Sequence, residues 1–249
     1  KGNYIPKEAL ADNKYYFLRI KTRFYIKKDM LPFVQIKNSF SYKGTEMLES
    51  SDITNKNGEK SAYYIGFDGK IHDTRVILTL TMTDYVLFRE HYNVIDFEIL
   101  DGCYFSTEIG IFDDYINKYK KIKMESKGAK RTLAKLFLNN LYGKMASSTD
   151  SSFKLAYAKD DGTIGFHEVQ ANDKKIGYIP VGSAITSYAR NFTIRAAQKN
   201  YHGPDKPGFI YADTDSIHCD LEPEEIKGIT VHPKDFCCWK LEACWDEAI

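Results

Sequence analysis

Long apolar runs are missing from this 249-residue chain. None approaches the ~18 residues that a membrane-spanning helix needs, so no membrane partner is expected. The opening residues also lack the charged-then-apolar pattern of a secretory leader. Cysteine is scarce, with five residues at 103, 219, 237, 238 and 244. They form no evenly paired framework, which suits a reducing compartment. His232, Cys237, Cys238 and Cys244 lack the C-x2-C pairs of a zinc site. Net charge is only +1, so no global basic field announces a nucleic-acid partner, and charge distribution must carry that argument. Neither a Walker A loop nor a Gly-x-Gly dinucleotide loop is present, and no internal repeat is visible.

Aromatic residues, by contrast, are plentiful: 18 Tyr and 15 Phe. Such side chains bury large areas and also offer stacking surfaces for bases. Alternation of Tyr16, Leu18 and Ile20 predicts a strand, continued by Phe33 and Gln35 after a turn near Lys28-Asp29. Residues 43–74 are rich in turn chemistry and read as an excursion. Val76, Leu78 and Leu80 predict a strand, Thr83 the N-cap of a helix reaching His91, and 94–105 another extended segment. Residues 43–106 therefore read as a small insertion with its own sheet.

Helical spacing begins at Thr107. Phe112, Tyr115, Ile116, Tyr119 and Ile122 predict a helix over 108–124. A second, over 129–146, carries Leu133, Leu136, Phe137 and Leu141 on its apolar side. A short connection makes the pair an antiparallel hairpin. On the other side of the second helix, Arg131, Lys135, Asn139 and Tyr142 line one stripe. Between 115 and 144 there are nine Lys or Arg against one acid, Glu125. Such runs are usually solvated faces. Here two consecutive Asn close the stripe, which helix propensity alone would not choose, and the pattern favours a surface for phosphates.

Residues 147–180 return to hairpin chemistry, with turns at Asp160-Asp161-Gly162 and Asn172-Asp173. Gly182 or Ser183 is expected to cap a helix with Ile185, Tyr188, Ala189, Phe192 and Ala196 on its apolar face. Glu222-Pro223-Glu224-Glu225 reads as a further helix start. Between them, Phe209-Ile210-Tyr211-Ala212 reads as a buried strand running into Asp213-Thr214-Asp215 at its tip. Two carboxylates held there repel each other unless a cation lies between them. Mg2+ suits such a site, because it needs only one or two protein carboxylates beside water and phosphate oxygens. A solvated turn, where Asp is common, is the other reading of these three residues.

Lys135 to Gly143, K-L-F-L-N-N-L-Y-G, resembles the fingers motif K-x-x-x-N-S-x-Y-G of family B DNA polymerases. Tyr211 to Ser216, Y-A-D-T-D-S, resembles their palm motif Y-x-D-T-D-S. Flanking stretches, from Tyr42-Lys43-Gly44 to Ala189-Arg190, are similar to the protein-primed subgroup of small tailed phages and linear plasmids. Asn140 stands where that subgroup often has Ser. The resemblance implies an α+β fold: part of a palm with an antiparallel sheet and helices, a two-helix fingers hairpin, and two small β-rich insertions. It divides the chain into palm (1–42), an insertion associated with the priming protein (43–106), fingers (107–146), an insertion associated with processivity and strand displacement (147–178), and palm again (179–249).

The implied chemistry is two-metal, Mg2+-dependent nucleotidyl transfer. Asp215 would be the direct metal ligand, supported by Asp213. Lys135, Arg131 and Lys123 would hold the triphosphate, while Asn139 and Tyr142 shape the nascent base-pair pocket. Tyr211, Lys127 and Gly143 would lie against DNA. The implied partners are template and primer DNA, deoxynucleoside triphosphates and a priming (terminal) protein. The implied location is the cytoplasm of a bacterial host. The family's first palm motif, D-x-x-S-L-Y-P, its K-x-Y motif, thumb and exonuclease are not in the sequence. It is therefore expected to be a fragment, inactive alone. Two other readings stand beside this one: a haloacid-dehalogenase-type phosphatase with Asp213 as nucleophile, and a non-catalytic nucleic-acid-binding module using only the basic hairpin.

Overall fold

A thirteen-residue strand, β1 (Lys14–Ile26), organises the first part of the computed structural model. The structure describes residues 4–34, 63–65, 71–73, 75–147, 152–170, 177–233 and 235–245. The strand's alternation places Tyr16, Leu18, Ile20, Thr22 and Phe24 on one buried face. β4 (Val76–Thr81) and β5 (Tyr92–Ser106) pair with it antiparallel on either side, in the order β4-β1-β5. Leu18 lies opposite Leu80, and Ile20 opposite Ile99. Among the described residues of 43–106, the expected separate sheet consists of β2 (Tyr63–Ile65) and β3 (Ile71–Asp73). β4 and β5, in the same range, instead share β1's sheet, because β1 is long enough to pair with both.

Helix α1 (Met82–His91) closes over this sheet. Leu87 and Phe88 are fully buried, and Phe88 meets the rings of Phe24 and Tyr92 at 5.2 Å. Its N-cap is Thr81, whose hydroxyl accepts from the Asp84 amide at 3.1 Å, rather than the expected Thr83. The strand enters the helix without a loop, so its last residue caps, and the Thr83 hydroxyl pairs with that of Tyr15. Leu31–Val34 likewise forms no strand. Side chains hold it instead: the Leu31 amide donates to Gln198 Oε1, and the Phe33 and Val34 amides donate to the Tyr92 hydroxyl. Gln35 lies outside the described residues.

His91 lies beneath that segment, with Nδ1 2.8 Å from the Leu31 carbonyl. Burial lowers its pKa, opposed by the Leu31 hydrogen bond and by Glu90, while Arg195 and Lys27 lower it further. The unfolded chain therefore binds this proton more readily than the folded one. Stability at His91 should fall as pH drops below about 6.5, the ordinary histidine value. Urea midpoints measured between pH 8 and 5.5 should decline, and His91→Gln should flatten that decline; parallel slopes would remove His91 as the cause.

The longest helix, α4 (Ile179–Asn200), begins a turn before the expected Gly182 or Ser183. Of the expected face only Ala196 is buried, beside Ser187, Thr193, Ile194, Ala197 and Asn200, whereas Ile185, Tyr188, Ala189 and Phe192 are exposed. Polar partners explain the reversal. Ser187 Oγ donates to Asp84 Oδ2 at 2.8 Å, and Arg190 Nη1 reaches both Asp84 oxygens at 2.8 and 2.6 Å. Phe192 stacks on Trp239, with centroids 5.4 Å apart.

Asn200 ends α4 and clamps Lys227 through both its backbone groups, at 2.8 and 3.0 Å. Those groups cannot then extend a helix. Only a single 3-10 turn, Pro223–Glu225, forms where a helix was expected. Gly208 lies against the same helix end with φ +153°, and a Cβ there would overlap the Asn200 carbonyl. Gly208→Ala should cost at least about 1–3 kcal/mol, which corresponds to about 2–4 °C of melting temperature per kcal/mol. An unchanged thermal transition would show that the loop yields.

The chain divides into two compact units, Lys1–Ile109 with Ser187–Ile249, and Gly110–Thr186. The second holds α2 (Asp113–Glu125), α3 (Gly128–Met145) and a β-hairpin of β6 (Ser152–Ala158) and β7 (Ile164–Gln170). The turn at Asp160-Asp161-Gly162 joins those strands as expected, while Asn172-Asp173 lies outside the described residues. Among the described residues, no helix is long and apolar enough to cross a membrane.

Candidate functional site

The two carboxylates lie at the end of a short hairpin in the first unit. β8 (Phe209–Asp213) pairs antiparallel with β9 (Ser216–Cys219), and Asp213 lies opposite Ser216. Thr214 and Asp215 alone form the loop. Asp213, Thr214 and Asp215 are all exposed. The lead-in is less buried than expected: Ile210 and Tyr211 are 67% and 54% exposed. A two-stranded ribbon covers its residues on fewer sides than a central strand would.

Thr214 has φ +49°. Positive φ at the first position of a two-residue loop is the II′ pattern, for which glycine is the usual residue. A β-branched residue there is strained. Hydrogen bonds hold it. Thr214 Oγ1 donates to Asp213 Oδ1 at 3.0 Å, and Ser216 Oγ donates to the Asp213 carbonyl at 3.1 Å. Thr193 Oγ1, from α4, donates to the Thr214 carbonyl at 3.0 Å. The Thr193 contribution has no signal in the sequence, where the large apolar residues of α4 dominate its helical spacing.

As a donor set, the loop offers two carboxylates with open approach from solvent. That fits Mg2+, which takes one or two protein carboxylates and completes six-fold coordination with water and phosphate. A group of three or more His, Cys, Asp or Glu placed to hold a metal does not occur among the described residues. A cavity of about 880 Å3 adjoins the loop, lined by Asp215, Ser216, His218, Phe192, Trp239 and Trp245 among others. Tyr211 meets His218 edge-on at 5.4 Å.

The second unit carries the basic stripe. Tyr119 stacks on Phe137 at 4.8 Å, and the Tyr115 hydroxyl donates to the Phe137 carbonyl at 3.0 Å. These contacts lock α2 against α3. Ala134 is buried there, but Leu133 and Leu136, expected on the packed side, are about half exposed. Phe137 of the expected apolar set meets an α2 ring, while Leu133 and Leu136 stay half exposed because the seam between two helices is narrower than an apolar face.

Arg131, Lys135, Asn139 and Tyr142 are exposed along one face of α3. Lys123, on α2, lies beside them: burial first, then Arg131 and Lys135, push its ammonium pKa below the ordinary value. Like charges crowded together cost free energy that a bound polyanion removes. Lys127 is the exposed N-cap of α3, and Gly143 faces open space. Tyr142 borders a shallow depression with Ala146, Ile179, Gly182, Ser183 and Thr186.

Residues 2–228 match the family described as DNA polymerase type B, organellar and viral. The chain is 39% identical over 235 residues to the DNA polymerase of Bacillus phage Nf, covering 94% of this chain and 36% of that protein. To the DNA polymerase of Bacillus phage phi29 it is 38% identical over 250 aligned residues, 100% of this chain and 38% of that one. It is 34% identical over 240 residues to the DNA polymerase of Streptococcus phage Cp-1, covering 95% of this chain and 38% of that protein. A solved structure of phi29 DNA polymerase complexed with primer-template DNA and incoming nucleotide substrates superposes with TM-score 0.71 at 38% identity. That match covers 96% of this chain and 37% of the other. The chain thus spans a little over a third of the length of these relatives.

Proposed function

Since the chain belongs to the family of type B DNA polymerases, organellar and viral, we propose that it forms the nucleotide-binding and part of the metal-binding machinery of a protein-primed polymerase. The reaction is template-directed transfer of a deoxynucleotide to a primer 3′-hydroxyl, or to a hydroxyl of a priming protein, in viral or plasmid DNA replication. The observation that carries the reading is the Asp213–Asp215 step at an exposed hairpin tip, in a chain of this family.

In this reading Asp215, supported by Asp213, is this chain's contribution to holding Mg2+. When bound, Mg2+ stabilises the charge that develops on the entering and leaving oxygens. Lys135, Arg131 and Lys123 hold the triphosphate by charge-assisted hydrogen bonds. Asn139 and Tyr142 border the nascent base pair, Tyr211 packs beside the primer end, and Lys127 and Gly143 lie along the DNA. The attacking hydroxyl displaces pyrophosphate in line from the α-phosphorus. The solved relative with primer-template DNA and incoming nucleotide supports this choice of partners. The cytoplasm of a bacterial host is the proposed location, in keeping with the phage-encoded relatives.

Primer extension with the protein as its gene encodes it tests the proposal. Template-directed, Mg2+-dependent extension is expected; hydrolysis of a small phosphomonoester without extension would favour the phosphatase reading. We assign 1–42 and 179–249 to the palm, 107–146 to the fingers, 43–106 to a priming-protein region and 147–178 to a strand-displacement element. Replacing 149–176 by a short Gly-Ser link should spare extension on an open template. Copying through a downstream duplex, and product length per binding event under a trap, should fall sharply. Equal products on both templates would reduce the excursion to a tolerated surface loop.

A further inference from the structure

Thr214 is the one β-branched residue at positive φ among the described residues; the others outside glycine are Asp29, Asp96 and Cys237. Two of the hydrogen bonds holding it, from Thr214 Oγ1 and Ser216 Oγ, start and end within the hairpin. They would move with the loop if it turned. The bond from Thr193 is different. Thr193 is buried at 4% exposure, on a helix tied to α1 by the Asp84 contacts of Ser187 and Arg190. Gln198 of the same helix donates to the Asp29 carbonyl and accepts from the Leu31 amide. The Thr193 hydroxyl therefore refers the loop to a fixed frame.

The acceptor is the carbonyl of the peptide joining Thr214 to Asp215. The orientation of that peptide plane sets the direction in which the Asp215 side chain departs. We propose that Thr193 is a positioning residue for nucleotidyl transfer: by holding the Thr214 carbonyl, it keeps the strained loop in the one state that aims the Asp215 carboxylate at the metal position. The inference rests on the proposed role of Asp215. Without the hydroxyl, the loop relaxes toward unstrained φ, and the carboxylate spends less time where it can serve.

The test uses Thr193→Val, which keeps shape and removes the hydroxyl, and Thr193→Ser, which keeps the hydroxyl, in the protein as its gene encodes it. Mn2+ binding is read by electron paramagnetic resonance without nucleotide, and incorporation is read across Mg2+ and nucleotide concentrations. Thr193→Val should weaken Mn2+ binding and lower kcat by about three- to tenfold, with nucleotide KM and melting temperature little changed. Thr193→Ser should restore both. Unaltered Mn2+ affinity and kcat in Thr193→Val would overturn the inference. So would a loss that Ser fails to restore, or one that tracks melting temperature alone. If Thr193→Val does not fold, Thr193→Ala read by the same Mn2+ titration decides on the same terms. Asp215→Ala, run in parallel, separates the two failures: incorporation surviving that change sinks the function, whereas its loss beside a silent Thr193→Val sinks only the positioning role.

Discussion

Asp215→Ala, made in the protein as its gene encodes it, is expected to abolish nucleotide incorporation while leaving DNA binding largely intact. The two effects separate because Asp215 lies in a two-residue loop of one compact unit, whereas the basic helix pair belongs to the other. Removing the carboxylate takes away the proposed oxygen ligand of Mg2+ without altering any cation on α2 or α3. The exposed loop also means that the change leaves no buried polar group unpaired, so folding should survive. Primer extension on a gel, beside a mobility-shift titration with the same DNA, reads both quantities. Extension near the parent level would remove Asp215 from the metal site. Asp213→Ala should act more weakly on metal dependence, since that side chain also receives the Thr214 hydroxyl.

The second large effect is expected at Lys135. Its side chain is exposed on the α3 face that also carries Arg131, Asn139 and Tyr142. Its charge helps to lower the neighbouring Lys123 pKa. Lys135→Ala should remove a charge-assisted contact worth ~1.5–3 kcal/mol, an about ten- to hundredfold loss of incorporation efficiency. The loss should fall mainly on the dependence on nucleotide concentration, because the triphosphate is the anion proposed for these crowded cations. The same change should ease the repulsion on Lys123 and let its pKa rise toward the ordinary lysine value. Steady-state titrations of nucleotide and of DNA distinguish the assignments. Altered DNA affinity with an unchanged nucleotide response would move Lys135 to the template surface.

The amino-acid sequence by itself determined the local elements and where the chemistry-bearing residues lie within them. Alternation at Tyr16, Leu18 and Ile20 marked β1, and Asp-Thr-Asp after an apolar run marked the end of β8. Spacing of four, four and three marked the Arg131–Tyr142 stripe on α3. Those signals are local, since each depends on the pitch of one strand or helix. Tertiary structure alone decided which elements became neighbours. It set β4 and β5 on either side of β1, turned α4 so that Ser187 and Thr193 rather than Tyr188 and Phe192 are buried, and limited the helix expected from Glu222 to the single turn Pro223–Glu225. The physical reason is that polar side chains carry no fixed preference for core or solvent until a partner appears. Ser187 is buried because Asp84, 103 residues away, accepts its hydrogen bond. Thr193 is buried because the Thr214 carbonyl, 21 residues on, accepts from it. Periodicity within one helix cannot name a partner brought to it by another part of the chain.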